Sequence, residues 1–154
     1  MKGLLGFPLN REPPGTFHGA RVTLAANLVN GFGVDIVFDT EKFDTDGFFD
    51  FSEPTRLTVP TGLDGIYWIG AGTEIGDVGV TVALEIKRIG DPDNIFGGKG
   101  TEGSSSPAWV SASGIIDAKA GDIFTVHSIP AVTLSGGNLT YFSIFYLGRI
   151  DVSL

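Results

Sequence analysis

The sequence predicts an antiparallel β-sandwich. Three observations carry that prediction: short apolar/polar alternations recur every 8–12 residues or so, turn residues stand between them, and no stretch longer than a turn or two has helical periodicity. The chain has 23 glycines and 8 prolines in 154 residues, which suits short strands joined by tight turns. About eight to ten strands of this size suit a jelly roll within one domain.

The elements follow in order. Residues 1–19 form a Pro-rich arm, since Pro8, Pro13, Pro14 and Gly15 interrupt regular structure. The arm still carries Leu4, Leu5, Phe7, Leu9 and Phe17, which calls for a surface to lie on, either its own domain or a partner. Residues 20–154 form the sandwich. Strands are expected at 21–24, at 34–38 with Val34, Ile36 and Phe38 on one face, at 56–59 and at 66–71. The longest alternation spans 78–89, with Val80, Val82, Leu84 and Ile86 inward. Residues 90–107 are Gly/Ser-rich and read as a long solvated hairpin tip with a short strand. Further strands are expected at 109–116, 123–129 and 141–147. The last is apolar on both faces, so it belongs at the centre of a sheet covered on both sides.

Composition narrows the function. Net charge is −8 with pI ≈ 4.5, which argues against nucleic acid as a partner, because phosphate contacts need clustered Lys and Arg. No apolar run approaches the length of about 18 residues that a membrane-spanning helix needs. The opening residues lack a signal-peptide core, so the chain is expected to be made and kept without secretion. There is no cysteine, hence no disulfide and no thiolate chemistry. Charged residues reach only 18% at a mean hydropathy of +0.22. Either a second subunit covers apolar surface, or a Gly-rich β-protein simply carries few charges.

Several short blocks, in order along the chain, resemble the C1q/TNF-like jelly-roll family. Ala20-Arg21-Val22 matches its opening strand, and Ile36-Val37-Phe38-Asp39 matches its "apolar-x-Phe-Asp" strand end. Gly47-Phe48-Phe49-Asp50, Leu57-Thr58-Val59-Pro60 and Gly65-Ile66-Tyr67-Trp68-Ile69 are similar to its "Gly-x-Tyr-Asp … Phe-Thr-x-Pro-x-x-Gly-x-Tyr-x-Phe" block. The turn around Gly121-Asp122 and the closing run Phe142-Ser143-Ile144-Phe145-Tyr146-Leu147 complete the set. Leu57 and Ile69 depart from it by replacing aromatics. The resemblance implies a ten-stranded sandwich that assembles as a homotrimer through its first, last and neighbouring strands. On that basis Tyr67, Trp109, Phe142, Phe145 and Tyr146 are expected at the trimer interface, and these aromatics also exceed what one sandwich interior comfortably holds.

The run "Phe-Asp-x-Glu-x-Phe-Asp-Thr-Asp-Gly" before "Thr-Arg-Leu-Thr-x-Pro" resembles forms encoded by bacteria and their tailed phages. That branch implies a structural virion protein, a capsid decoration or head fibre. It would be attached to the major capsid protein or another virion protein through the arm and would reside on the virion. The alternative is a C1q-like tip that recognises a receptor or glycan through the loops of residues 90–107.

No catalytic site is expected. His18 and His127 are far apart, no G-x-S-x-G elbow occurs, and 97–101 lacks the phosphate-loop spacing. His127 alternates within a strand and reads as a packed or hydrogen-bonded histidine. Asp44, Asp46 and Asp50 are the candidate oxygen ligands for Ca²⁺, but without EF-hand spacing they read better as solvated turn residues. No cofactor is expected.

Overall fold

The computed structural model describes residues 16–76, 79–101 and 108–149, and among them the regular elements are all strands. In chain order they are β1 (Gly19–Leu24), β2 (Leu28–Asn30), β3 (Thr40–Asp44), β4 (Arg56–Thr58), β5 (Gly65–Ile75), β6 (Thr81–Arg88), β7 (Asn94–Thr101), β8 (Ala108–Ala118), β9 (Ile123–Ile129), β10 (Val132–Leu134) and β11 (Gly137–Gly148).

Two antiparallel sheets face each other. The first runs β3-β1-β11-β5-β8, with β10 following β11 along one edge of β5 and β2 beyond β10. The second runs β4-β9-β6-β7. β11 therefore lies centrally, between β1 and β5, as its two apolar faces require. Alternation decides what each strand buries: Val82, Leu84 and Ile86 of β6 point inward, and so do Tyr67, Ile69 and Ala71 of β5. Phe38, Phe48, Tyr67, Phe124 and Phe142 are the largest side chains in the core.

Three local expectations are corrected. Residues 34–38 do not form a strand: Ile36 and Phe38 are buried, but Val34 is exposed, and only one bridge forms, Asp35 to His127. The acidic loop instead contains β3, which pairs with β1 through Arg21–Phe43 and Thr23–Thr40. Most of residues 94–101 is strand rather than hairpin tip. β7 pairs with β6 from Thr81–Thr101 to Lys87–Asn94, and its glycines let it approach β8. A Cβ on Gly98 would stand 1.7 Å from the Ser111 carbonyl oxygen, and one on Gly100 would stand 2.5 Å from a Val110 methyl. Gly114 returns the accommodation, since the Phe96 ring occupies the space where its Cβ would be.

Candidate self-association face

The outward face of the first sheet is built from alternate residues of five strands. The register places Gly19, Phe145, Trp68 and Ile115 in one row across β1, β11, β5 and β8. The next row is Phe43, Arg21, Ser143, Gly70 and Ser113, and the one after is Thr23, Tyr141, Gly72 and Ser111. Aromatic rings lie across these rows. Trp68 stacks on Phe145 at 5.2 Å, and Phe17 and Phe43 close around Phe145 at 5.6 and 6.1 Å. Trp109 and Tyr141 stack at 6.3 Å, with the Arg21 guanidinium 4.3 Å from the centre of the Tyr141 ring.

Two glycines make this flatness possible. A Cβ on Gly70 would meet the Trp68 ring at 2.2 Å, and one on Gly72 would meet the Tyr141 ring at 2.7 Å. Both rings can therefore lie down on the sheet. The resulting surface is rich in aromatic rings, interrupted by Arg21, Ser111 and Ser113, with Trp109 49% exposed and Ile115 64% exposed.

The five predicted interface residues divide. Trp109 and Phe145 are on this face. Phe142 and Tyr67 are not: both have no exposed surface and fill the sandwich interior, because their parity in β11 and β5 is that of Ile144 and Ile69. The Tyr67 hydroxyl donates to the Leu63 carbonyl, and burial, with Tyr146, Asp46 and Asp64 adding to it, pushes the phenol well above its ordinary pKa. Tyr146 shares the inward parity, half-buried at the end of the sandwich, with its ring 5.3 Å from Tyr67 and 5.9 Å from His18. Sequence reasoning missed Trp68, Tyr141, Phe43, Ile115 and Arg21. The available signal was that Gly70 and Gly72 share a face with Trp68 in the alternation of β5.

The arm residues Leu4, Leu5, Phe7 and Leu9 lie outside the described residues. Phe17 sits at the foot of the apolar face against Phe43 and Phe145. Residues 18 and 19 are held there by several restraints. His18 Nδ1 pairs with Asp46 Oδ2 at 2.8 Å, the Gly19 amide donates to Thr45 Oγ1 at 2.9 Å, and the Tyr146 amide donates to the His18 carbonyl at 3.0 Å.

The acidic loop explains its own carboxylates. Asp44 accepts the amides of Asp46, Gly47 and Phe48 on Oδ1 at 3.1, 2.8 and 3.0 Å, and that of Phe49 on Oδ2 at 2.8 Å. It shapes the turn that delivers Phe48 and Phe49 to the core. For Asp46, burial raises the pKa, but hydrogen bonds from Thr45 and His18 and the charge of His18 outweigh it, so the net shift is downward. Asp50 is lowered chiefly by the Ser52 amide at 2.8 Å. No cluster of three potential ligands able to hold a metal occurs among the described residues. A cleft of about 230 Å³ behind the loop is lined by Gly47, Phe48, Asp50, Glu53, Arg56 and Thr58, with Arg56 and Glu53 paired at 2.6 Å.

With this architecture in place, solved structures provide the comparison. Murine APRIL at pH 5.0 superposes with a TM-score of 0.70 at 16% identity, covering 86% of this chain and 100% of that one. Eiger TNF from S. frugiperda gives 0.72 at 12% identity, with 90% and 97% covered. The globular domain of zebrafish complement 1qA gives 0.68 at 14% identity, with 86% and 99% covered. The chain has the TNF/C1q-like jelly-roll fold. Neither a family model nor a curated protein matches the sequence. The blocks around Ala20, Gly47, Gly65 and Phe142 thus belong to strands and turns of a TNF/C1q-like jelly roll, as their resemblance implied.

Proposed function

We propose that this protein is a homotrimeric, non-enzymatic structural component of a tailed-phage virion, a capsid decoration or head-fibre protein attached through its N-terminal arm. The single observation behind the reading is the outward face of the first sheet. Trp68, Phe145 and Ile115 form one apolar patch and the stacked Trp109 and Tyr141 a second on the same face of an otherwise acidic chain, a face that self-association would cover. Similarity to the TNF/C1q-like jelly roll supports a trimer, and the phage-like run from Phe38 to Pro60 supports the virion. Assembly is the mechanism. Three copies bury the aromatic face, and three arms add avidity to one weak attachment, for instance to the major capsid protein. The acidic remainder keeps decorated particles dispersed.

The test separates the parts. The full chain is expected to have three times the subunit mass at micromolar concentration. Deleting residues 1–15, which precede Phe17 and β1, is expected to leave that mass multiple intact and abolish binding to virions. A stable monomer refutes the trimer, and a truncated trimer that still decorates particles refutes the arm. The latter result would favour the other reading, a C1q-like tip recognising a receptor or glycan through the loops of residues 90–107.

A further inference from the structure

The second sheet carries a separate device. Beyond β4, the edge of β9 is covered by residues 33–36 as an edge strap. The strap is held by the Gly33 amide on the Ser128 carbonyl at 3.1 Å and the Ile36 amide on the Val126 carbonyl at 2.7 Å. Asp35 sits between these bonds, paired across from His127. Asn30 Nδ2 ties in the start of the strap, donating to the Val34 carbonyl at 2.8 Å and to Ser128 Oγ at 3.1 Å. The Phe38 amide ties in its end on the Pro54 carbonyl at 2.8 Å.

His127 is 2% exposed. Its Nε2 lies 3.0 Å from Glu85 Oε2 on the neighbouring strand, so the neutral ring donates there and leaves Nδ1 bare. Nδ1 is buried without a partner. A proton arriving at Nδ1 creates a buried N–H⁺ with nothing to accept it, which is costly even beside carboxylates. The charged groups around the ring are Glu85 and Lys87 from β6 and Asp35 from the strap.

We propose that residues 33–36 form an acid-opened strap latched by neutral His127. Lifting the strap admits water to the ring, frees the β9 edge at residues 126–128 and displaces the exposed side chains of Phe32 and Val34. The sign follows from the ring's environment. Burial, then Lys87, lower the His127 pKa, and Glu85 and Asp35 oppose them without prevailing. A group with a depressed folded value contributes its stability above the ordinary histidine value near 6.5, and loses it as pH falls through the depressed one. The inference concerns the second sheet and does not rest on the trimer or the virion.

The test is amide hydrogen exchange of the full chain across this range, corrected for intrinsic rates. The Gly33 and Ile36 amides are expected to open up to about tenfold more often per pH unit below about 6.5. The amides paired between β6 and β9 stay flat. In His127→Gln the dependence at Gly33 and Ile36 disappears. Strap protection that ignores pH in the wild type, or a slope that survives in the variant, overturns the proposal. Should the variant not fold, ring titration of wild-type His127 by NMR decides the matter. Its midpoint must lie below 6.5 and coincide with strap opening, and a midpoint with no accompanying exchange overturns it.

Discussion

Ile115→Asp is the most direct probe of the apolar face. Ile115 is 64% exposed in the single subunit, so replacing it removes little packing and is expected to change subunit stability by no more than about 0.5 kcal/mol. Its row neighbour is Trp68, which lies at the centre of the aromatic surface. If that surface is buried by sister subunits, each copy carries an uncompensated carboxylate into an interface, at about 3 kcal/mol per copy. Three copies give about 9 kcal/mol, or between six and seven decades in the trimer's association constant. Because the midpoint concentration varies as the square root of that constant, a trimer with a nanomolar midpoint would then dissociate with a midpoint of roughly a few micromolar. Sedimentation equilibrium reads this directly, and circular dichroism checks that the subunit still folds. Phe51→Asp is the control: Phe51 is 61% exposed, but it sits in the acidic loop against Phe49 and is expected to leave the mass unchanged. An Ile115→Asp protein that keeps its full native mass refutes the assignment of the face, as does loss of mass in both variants.

Two further outcomes follow from single side chains. Asp44→Ala strands four backbone amides and is expected to cost about 1–3 kcal/mol, with the amides of Gly47, Phe48 and Phe49 losing exchange protection first. Uniform loss of protection across the sheets would contradict a local role for this carboxylate. Gly98→Val forces a side chain into the Ser111 backbone and is expected to lower stability by at least the roughly 1–3 kcal/mol typical of overpacking, measured by urea titration. Wild-type stability would mean that β7 does not run against β8.

The fold was legible because alternation and turn chemistry agree along most of the chain. β6, β9 and β11 stand where the period-two pattern put them, and Val82, Leu84 and Ile86 point inward as the pattern required. The site was half legible for a physical reason. Tyr67 and Trp68 are adjacent, so they point to opposite faces of β5, and an apolar two-sided strand does not say which face meets the other sheet. Only the register with β11 and β8 makes Trp68, Phe145 and Ile115 neighbours. β3 was hidden because Glu41, Lys42 and Asp44 look like loop, though the strand needs only Phe43 to be covered. The sequence leaves Asp44 between a solvated turn residue and a candidate Ca²⁺ ligand, because it does not reveal which groups surround the carboxylate; four amides of its own loop do.

The glycines of β7 have one more consequence. Their close approach to Ser111 and Val110 sets the outer edges of the two sheets against each other. A sheet edge left open recruits strands from any neighbour, which is the usual route to aggregation. On this flank there is no room for an intruding strand. At the opposite end of the first sheet, edge strand β3 carries exposed Glu41 and Lys42, charges that deter pairing. If copies associate through the outward face of the first sheet, these two edges would not extend the contact by strand pairing, which would favour a closed, countable association over an open one.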